Sequence, residues 1–279
     1  MKAALFFFSF LPLKPAKSFI RLLMRVIPLG IFSSYKITHI NINISFENLS
    51  IKEKEAMARR SFVESVCSLY ETFYSLSRSS KEISKNIVRV DNRYLMSEAL
   101  KDKNGLLISG IHNRSVDLIL QWINTQTPTV GVYKPLKNSL LDSYIKKHRE
   151  QTKNKIYTTS YKGVKELFKA LLKNKVIMMA SDQVPQDGMG EHAKFFNRDA
   201  YTTTLITSLA NKTSKPLIYI GLFSAPQDCL KITIKKSPKE ISVQSMNSTM
   251  EEMILSCPED YSWEYKRFKK PPEGIDSPY

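Results

Sequence analysis

Residues 105–117 read GLLISGIHNRSVD, and this stretch decides the fold of the chain. It begins with an apolar run, Gly105–Ile111, whose length and composition are typical of a buried strand. His112 follows this run directly, and Val116–Asn124 then has the apolar pattern of a helix. A strand, a polar turn and a helix in this order form the first half of a βαβ unit.

The same alternation of strands and helices continues towards the C-terminus. Predicted strands cover residues 129–133, 155–158, 176–180, 217–223 and 230–234. Predicted helices cover residues 50–79, 139–150, 163–173, 203–211 and 242–256, with a long loop after residue 180 and an irregular tail from residue 269. The pattern predicts an α/β fold with a largely parallel central sheet flanked by helices. In such sheets, ligands bind beyond the carboxyl ends of the strands.

The composition is that of a globular protein with a strong positive charge. The 279 residues are 42% hydrophobic, which excludes a disordered chain. Lysine and arginine outnumber aspartate and glutamate by 42 to 26, so the partner is expected to be anionic: nucleic acid, a membrane or an acidic protein. The three cysteines form no C-x-x-C pair, which predicts a reducing compartment. The four histidines show no zinc-ligand spacing with them, so no metal site is expected.

The first 36 residues are predicted to associate with a membrane. No acidic residue precedes Glu47, and the apolar run 3–13 is shorter than the roughly 20 residues that a transmembrane helix needs. The next stretch has helical spacing, with Phe19, Leu22, Leu23, Val26 and Ile27 on one face and Lys14, Ser18, Arg21 and Arg25 on the other. Such a helix lies in the membrane interface with its cations at the phosphates. A tilted span over residues 1–32, a cleaved signal peptide and a core-packing helix are the alternatives.

His112 and Asp117 form the candidate catalytic pair. Asp117 lies about one helical turn into the predicted helix, so its carboxylate can return beside the imidazole, fix the tautomer and leave the other nitrogen free to take a proton. Neither Ser109 nor Ser115 lies in a G-x-S-x-G elbow, so the nucleophile would be a hydroxyl of the substrate. By itself this spacing also arises by chance, and a helix-capping role for Asn113 or Ser115 is equally compatible with it.

Further blocks accompany this pair in chain order: Thr38–Phe46, Gly131–Asp142, Ser181–Pro185, Phe195–Phe196 with Thr202–Thr203, and Pro258–Gly274. The pair resembles the H-x-x-x-x-[D/E] box of the lysophospholipid acyltransferase superfamily, and the blocks together resemble its bacterial lipid A late (secondary) acyltransferase family. The chain departs from that family inside the box, where Phe-Gly-x-Trp-type residues are usual and Asn-Arg-Ser-Val stands here. It also has Asp117 where glutamate is common and Lys134 where arginine is typical.

The resemblance implies an acyltransferase of lipopolysaccharide or lipooligosaccharide biosynthesis. It would move a fatty acyl chain from an acyl carrier protein thioester to a hydroxyl of a lipid A precursor, with His112 as base and Asp117 as its support. The thioester is a co-substrate, and no cofactor is expected. The implied partners are acyl carrier protein, the lipid A precursor and anionic lipids of the bacterial inner membrane at its cytoplasmic face, without nucleic acid. Residues 1–36 would be an anchor or interfacial helix and residues 37–279 the catalytic domain.

Other polar residues are candidates for substrate binding: Lys134, Lys137, Arg149, Asp182, Gln183 and Arg267. The lysines and Arg149 would hold phosphates or acidic sugars, or would simply be solvated. Asp182 and Gln183 follow a buried strand and face the same cleft edge as His112, where they would bind substrate or cap a turn. Arg267 would contact a phosphate or the carrier. The alternative functions are a glycerophospholipid or glycolipid acyltransferase and, from another class, a non-catalytic membrane- or nucleic-acid-binding protein.

Overall fold

A computed structural model describes residues 11–279. The strands in this range are β1 (Ile87–Asp91), β2 (Leu106–Gly110), β3 (Thr129–Tyr133), β4 (Lys155–Thr158), β5 (Val176–Ala180), β6 (Gly190–Phe195), β7 (Arg198–Thr203), β8 (Leu217–Ser224) and β9 (Leu230–Lys236). The α-helices in this range are α1 (Leu13–Val26), α2 (Ser33–Ser45), α3 (Ile51–Ser77), α4 (Ser80–Ser84), α5 (Arg93–Lys101), α6 (Val116–Asn124), α7 (Ser139–Arg149), α8 (Tyr161–Leu172), α9 (Leu205–Thr213) and α10 (Val243–Leu255). Short 3₁₀ turns cover Leu29–Ile31, Gln151–Lys153 and Pro258–Asp260.

The central sheet has the predicted α/β architecture. Its strand order is β1-β9-β8-β2-β5-β3-β4. The strands from β8 to β4 are mutually parallel, whereas β9 runs antiparallel to β8 and β1 pairs parallel with β9. The carboxyl ends of β8, β2, β5 and β3 therefore meet at one edge, which we call the carboxyl edge, and the carboxyl end of β1 lies at the opposite edge.

Hydrophobic side chains on both faces of the sheet explain why the strands are nearly continuous apolar runs. In β2, Leu106 and Ile108 belong to one cluster with Leu118 of α6, and Leu107 belongs to a second cluster with Leu167 of α8. A strand that alternates between two buried faces has no polar side, as is typical of parallel sheets covered by helices.

The sequence does not predict β1 or the hairpin formed by β6 and β7. These two strands pair antiparallel with each other and form a second sheet, separate from the main one. The predicted long loop after residue 180 contains this hairpin. Its strands are polar and only partly buried, with Ala193 and Phe195 covered while Glu191 and Lys194 are exposed. Short, polar strands give little of the hydrophobic signal on which such a prediction depends.

The predicted N-terminal helix is present as α1, and it packs on the protein through Leu13, Ala16, Lys17 and Met24. Lys17 is fully buried, and Ser18 donates a hydrogen bond to Asp228 in the turn after β8. The apolar face is outermost, with Phe19 61% and Val26 77% exposed. Lys14 and Arg25 of the predicted polar face are exposed as well, and the membrane contact of this helix stays a prediction. Within residues 11–279, no helix has both the length and the hydrophobicity to cross a bilayer.

Candidate active site

His112 and Asp182 meet at the carboxyl edge because two neighbouring strands end in register. Gly110 of β2 lies opposite Ala180 of β5, and each polar residue follows two positions later. Adjacent strands are about 4.8 Å apart, so the two side chains fall within contact distance. The His112 Nδ1 atom lies 2.7 Å from Oδ1 of Asp182, and the backbone N–H of His112 donates to Oδ2 at 3.1 Å.

This contact sets both the tautomer and the pKa of His112. A carboxylate at Nδ1 favours a proton on that nitrogen and leaves Nε2 as the acceptor. Burial lowers the pKa of His112, but the charge and hydrogen bond of Asp182 outweigh it and raise the pKa above its ordinary value of 6.5. The His112 side chain is 28% exposed and can be reached, whereas Asp182 is 1% exposed and acts from behind it.

Other charged groups face the pair. Glu264 raises the pKa of His112 and Arg149 lowers it. Burial raises the pKa of Glu264 itself, whose Oε2 has no hydrogen-bond partner within residues 11–279. Burial and then the neighbouring Asp182 raise the pKa of Tyr261 well above its ordinary range. The sequence did not single out Glu264 or Tyr261, because both come from a C-terminal segment that only the fold brings to His112.

Asp117 has a different partner from the expected one. It lies in the first turn of α6, as predicted, but its two carboxylate oxygens accept hydrogen bonds from Arg149 at 2.5 and 2.8 Å. The Arg149 guanidinium also lies over the ring of Tyr133, 5.8 Å from its centroid. The carboxylate at Nδ1 of His112 is therefore Asp182, and Asp117 instead fixes the end of α7.

The remaining candidate residues separate into exposed and buried groups. Lys134 and Lys137 follow β3 at the carboxyl edge, are exposed and have no ion-pair partner within residues 11–279. Gln183 is half-buried beside Asp182, without a side-chain hydrogen bond in the same range. Arg267 is 1% exposed, and its guanidinium donates to the backbone oxygen of Tyr201 at 2.9 Å. The expected contact of Arg267 with a phosphate or carrier is wrong, since its side chain lies inside the core.

The turn between His112 and Asp117 is held by a buried arginine that the sequence did not single out. Arg114 has a φ of 56°, in the left-handed region, and a fully buried side chain. Its guanidinium donates to Glu71 and Glu64 of α3, with an Arg114 Nη1–Glu64 distance of 2.8 Å. It also donates at 2.7 Å to Asp260 and to Ser224 at the end of β8.

Two cations of α1 extend this cluster, which we call the Arg114 network. Lys17 pairs with Glu71 at 3.2 Å with both side chains fully buried. Arg21 pairs with Glu64 at 2.6 Å and with Asp228. Burial raises the pKa of Glu64, but hydrogen bonds and charges of Arg21 and Arg114 lower it to about 2. The network therefore joins α1, α3 and the turn that carries His112.

Comparisons with a family profile and with individual known proteins all point to the same family. A sequence profile described as "Bacterial lipid A biosynthesis acyltransferase" matches residues 1–270. The lipid A biosynthesis lauroyltransferase of Escherichia coli (strain K12) is 27% identical over 256 residues, covering 88% of this chain and 82% of that protein. The lipid A biosynthesis palmitoleoyltransferase of the same strain is 24% identical over 251 residues, with 86% and 80% covered. The lipid A biosynthesis acyltransferase of Haemophilus influenzae is 26% identical over 247 residues, with 84% and 76% covered.

Proposed function

The chain belongs to the bacterial lipid A biosynthesis acyltransferase family, and we propose that it transfers a fatty acyl group from an acyl carrier protein thioester to a hydroxyl of a lipid A precursor. His112 is the general base in this proposal, and Asp182 takes the supporting role that the sequence alone assigned to Asp117. The observation that carries the proposal is the contact of 2.7 Å between His112 Nδ1 and Asp182 at the carboxyl edge of the sheet.

The pair suits a transfer in which the substrate supplies the nucleophile. Nε2 of His112 takes the proton of the acceptor hydroxyl as its oxygen attacks the thioester carbonyl. The tetrahedral intermediate then expels the carrier thiolate, which receives that proton from the imidazolium. Asp182 stabilises the imidazolium and keeps the ring in one orientation throughout. No serine or cysteine nucleophile of the protein is needed in this sequence of steps.

Arg149 is the group that we assign to the developing oxyanion or to an anionic part of a substrate. The positive charge of Arg149 lowers the pKa of His112, and the bidentate pair with Asp117 fixes the position of the guanidinium. In this proposal, Asp117 acts on the reaction through Arg149 and not through the imidazole. Lys134 and Lys137 remain the candidate phosphate anchors, because both are exposed beside the same edge.

The partners and location follow from the charge and the exposed apolar surface. A net charge of +16 favours both anionic membrane lipids and an acidic carrier protein. The exposed apolar residues of α1 suit peripheral association with the cytoplasmic face of the bacterial inner membrane. There the carrier protein reaches the enzyme from the aqueous side. The thioester is a substrate, and the proposed reaction uses no cofactor.

The direct test is an acyl transfer assay with the full chain, acyl-loaded carrier protein and a lipid A precursor in mixed micelles. The purified protein is expected to acylate the precursor, and His112→Ala to abolish turnover while retaining the folded structure. Lys239→Ala serves as the control, because this exposed side chain follows β9 and lies at the edge of the sheet opposite to His112. Turnover by the His112→Ala protein at the wild-type rate would rule out the assigned base. Carriers loaded with acyl chains of different length then define the donor.

A further inference from the structure

A cleft of about 250 Å³ lies between α1 and α3, on the outer side of the Arg114 network. Four arginine side chains line it, Arg21 and Arg25 from α1 with Arg59 and Arg60 from α3. We call it the arginine cleft. None of the residues assigned to catalysis lines it, so it is a separate feature of the molecule.

Two of the four arginines are neutralised by carboxylates. Arg21 pairs with Glu64 at 2.6 Å, and Arg60 pairs with Glu259. Both glutamates line the cleft as well. These pairs hold the walls in place and leave the other two arginines to determine the charge of the cleft.

Arg25 and Arg59 carry the uncompensated charge. Among residues 11–279, Arg59 donates only to the backbone oxygens of Met24 and Arg25, at 3.3 and 3.2 Å, which are neutral acceptors at the end of α1. Arg25 has no carboxylate partner within residues 11–279. Both side chains are exposed, so an anion can approach them from the solvent. Guanidinium groups offer paired donors that match phosphate oxygens.

The apolar surroundings distinguish this cleft from an ordinary basic surface. Met24 and Val63 form part of its wall. Along the same helix, Leu22 is 60% and Val26 77% exposed, beside Arg25. An exposed apolar stripe next to a cationic cleft is complementary to a molecule with an anionic head and hydrocarbon chains.

We propose that the arginine cleft binds the phosphate group of a lipid, whose acyl chains lie along the exposed stripe of α1. Its volume lies just below the roughly 300–1,000 Å³ that small-molecule sites occupy, so the cleft accommodates a phosphate headgroup and leaves the chains outside. A second hollow of about 480 Å³, lined by Tyr35, His39 and Lys52, shares Arg59 with it and has room for a sugar or glycerol attached to the phosphate.

The site also has a physical connection to the catalytic turn. Glu64 in its wall accepts hydrogen bonds from Arg21 on one side and from Arg114 on the other. A lipid bound here would therefore contact a wall that is hydrogen-bonded to the turn carrying His112. The inference does not depend on the proposed chemistry at His112, because binding is measured without turnover.

The test is vesicle flotation of the full chain with Arg25→Gln/Arg59→Gln and a charge-matched control, Arg89→Gln/Arg93→Gln. The control arginines are exposed and lie at the opposite edge of the sheet, on β1 and α5. Vesicles of phosphatidylcholine alone are compared with vesicles containing phosphatidic acid, at constant ionic strength. We expect the cleft variant to lose about tenfold in affinity for the phosphatidic acid vesicles and the control to change less than twofold.

Equal losses in the two double variants, or none in the cleft variant, would overturn the proposal in favour of diffuse charge attraction. Tight binding of inorganic phosphate to the wild type, without any preference for phosphatidic acid vesicles over phosphatidylcholine vesicles, would also overturn it, because a free phosphate and not a lipid would then be the ligand. Thermal melting checks that each variant is folded. His112→Ala is expected to bind vesicles like the wild type, which separates a failure at this site from a failure of the proposed acyl transfer.

Discussion

Asp182→Asn changes the carboxylate behind His112 with almost no change in volume. The asparagine amide can donate to Nδ1, which leaves the proton on Nε2 and removes the base. The corresponding change in a serine-protease triad lowers kcat by about 10⁴-fold, so we expect a loss of roughly 10³- to 10⁴-fold, on the order of 4–5 kcal/mol of transition-state stabilisation. Because Asp182 is 1% exposed and does not line an open surface, KM should change little.

The pH profile of kcat/KM tests the same assignment, because the direction in which its acid limb moves does not depend on the size of the loss in kcat. The neutral imidazole is the active form, so kcat/KM falls as the pH drops through the pKa of His112. Asp182 raises that pKa, and the asparagine variant should therefore show this acid limb at lower pH. Steady-state kinetics across pH 5–9 would measure both effects. Asp117→Asn is the matched comparison, since the structure pairs Asp117 with Arg149. If it moved the acid limb while Asp182→Asn left kcat and the limb unchanged, the assignment would be refuted.

The other predictions concern the groups around this pair. Arg149→Gln should lower kcat/KM by about 10- to 100-fold in steady-state kinetics. The acid limb should move to higher pH only as far as the loss of one positive charge near His112 requires. Arg267→Met should cost roughly 2–4 kcal/mol of unfolding free energy in urea, with KM unchanged, because its buried partners lose their donor. Phe19→Ser/Leu22→Ser should weaken binding to vesicles by at least about tenfold in flotation assays. Lys134→Gln should raise KM for the acceptor severalfold at low salt and less at high salt.

The sequence predicts the sheet well because its strands carry a strong local signal. β2 and β5 are almost entirely apolar and are buried on both faces, so hydrophobic runs bounded by turns identify them. The cap of α3 is equally local: Ser50 accepts from the Glu53 backbone while Glu53 accepts from the Ser50 backbone. The β6–β7 hairpin has no comparable signal, because its stability depends on contacts with distant segments and not on its own hydrophobicity.

The sequence predicts only part of the site, because only some of its contacts have a local signal. His112 and Asp182 could each be placed at the end of a strand, and both at one cleft edge. That β5 lies beside β2 depends on the strand order β2-β5-β3, in which β5 inserts between two strands that are consecutive in sequence. A single sequence carries no such order, so spacing alone favours the nearer carboxylate, Asp117, as the partner. Asp117 instead accepts hydrogen bonds from Arg149, which lies 32 positions further along the chain, and residue spacing cannot predict such a contact.

The Arg114 network also bears on one departure of the chain from the family box. The family typically has glycine two residues after the histidine, and here Arg114 adopts the left-handed φ of 56° that favours glycine. A side chain in this conformation costs on the order of 1 kcal/mol. Three carboxylates, the buried Glu71 and Asp260 and the partly buried Glu64, offset that cost by binding its guanidinium. Side-chain ion pairs therefore stabilise a backbone turn that glycine would adopt freely, and this turn is the one that follows His112.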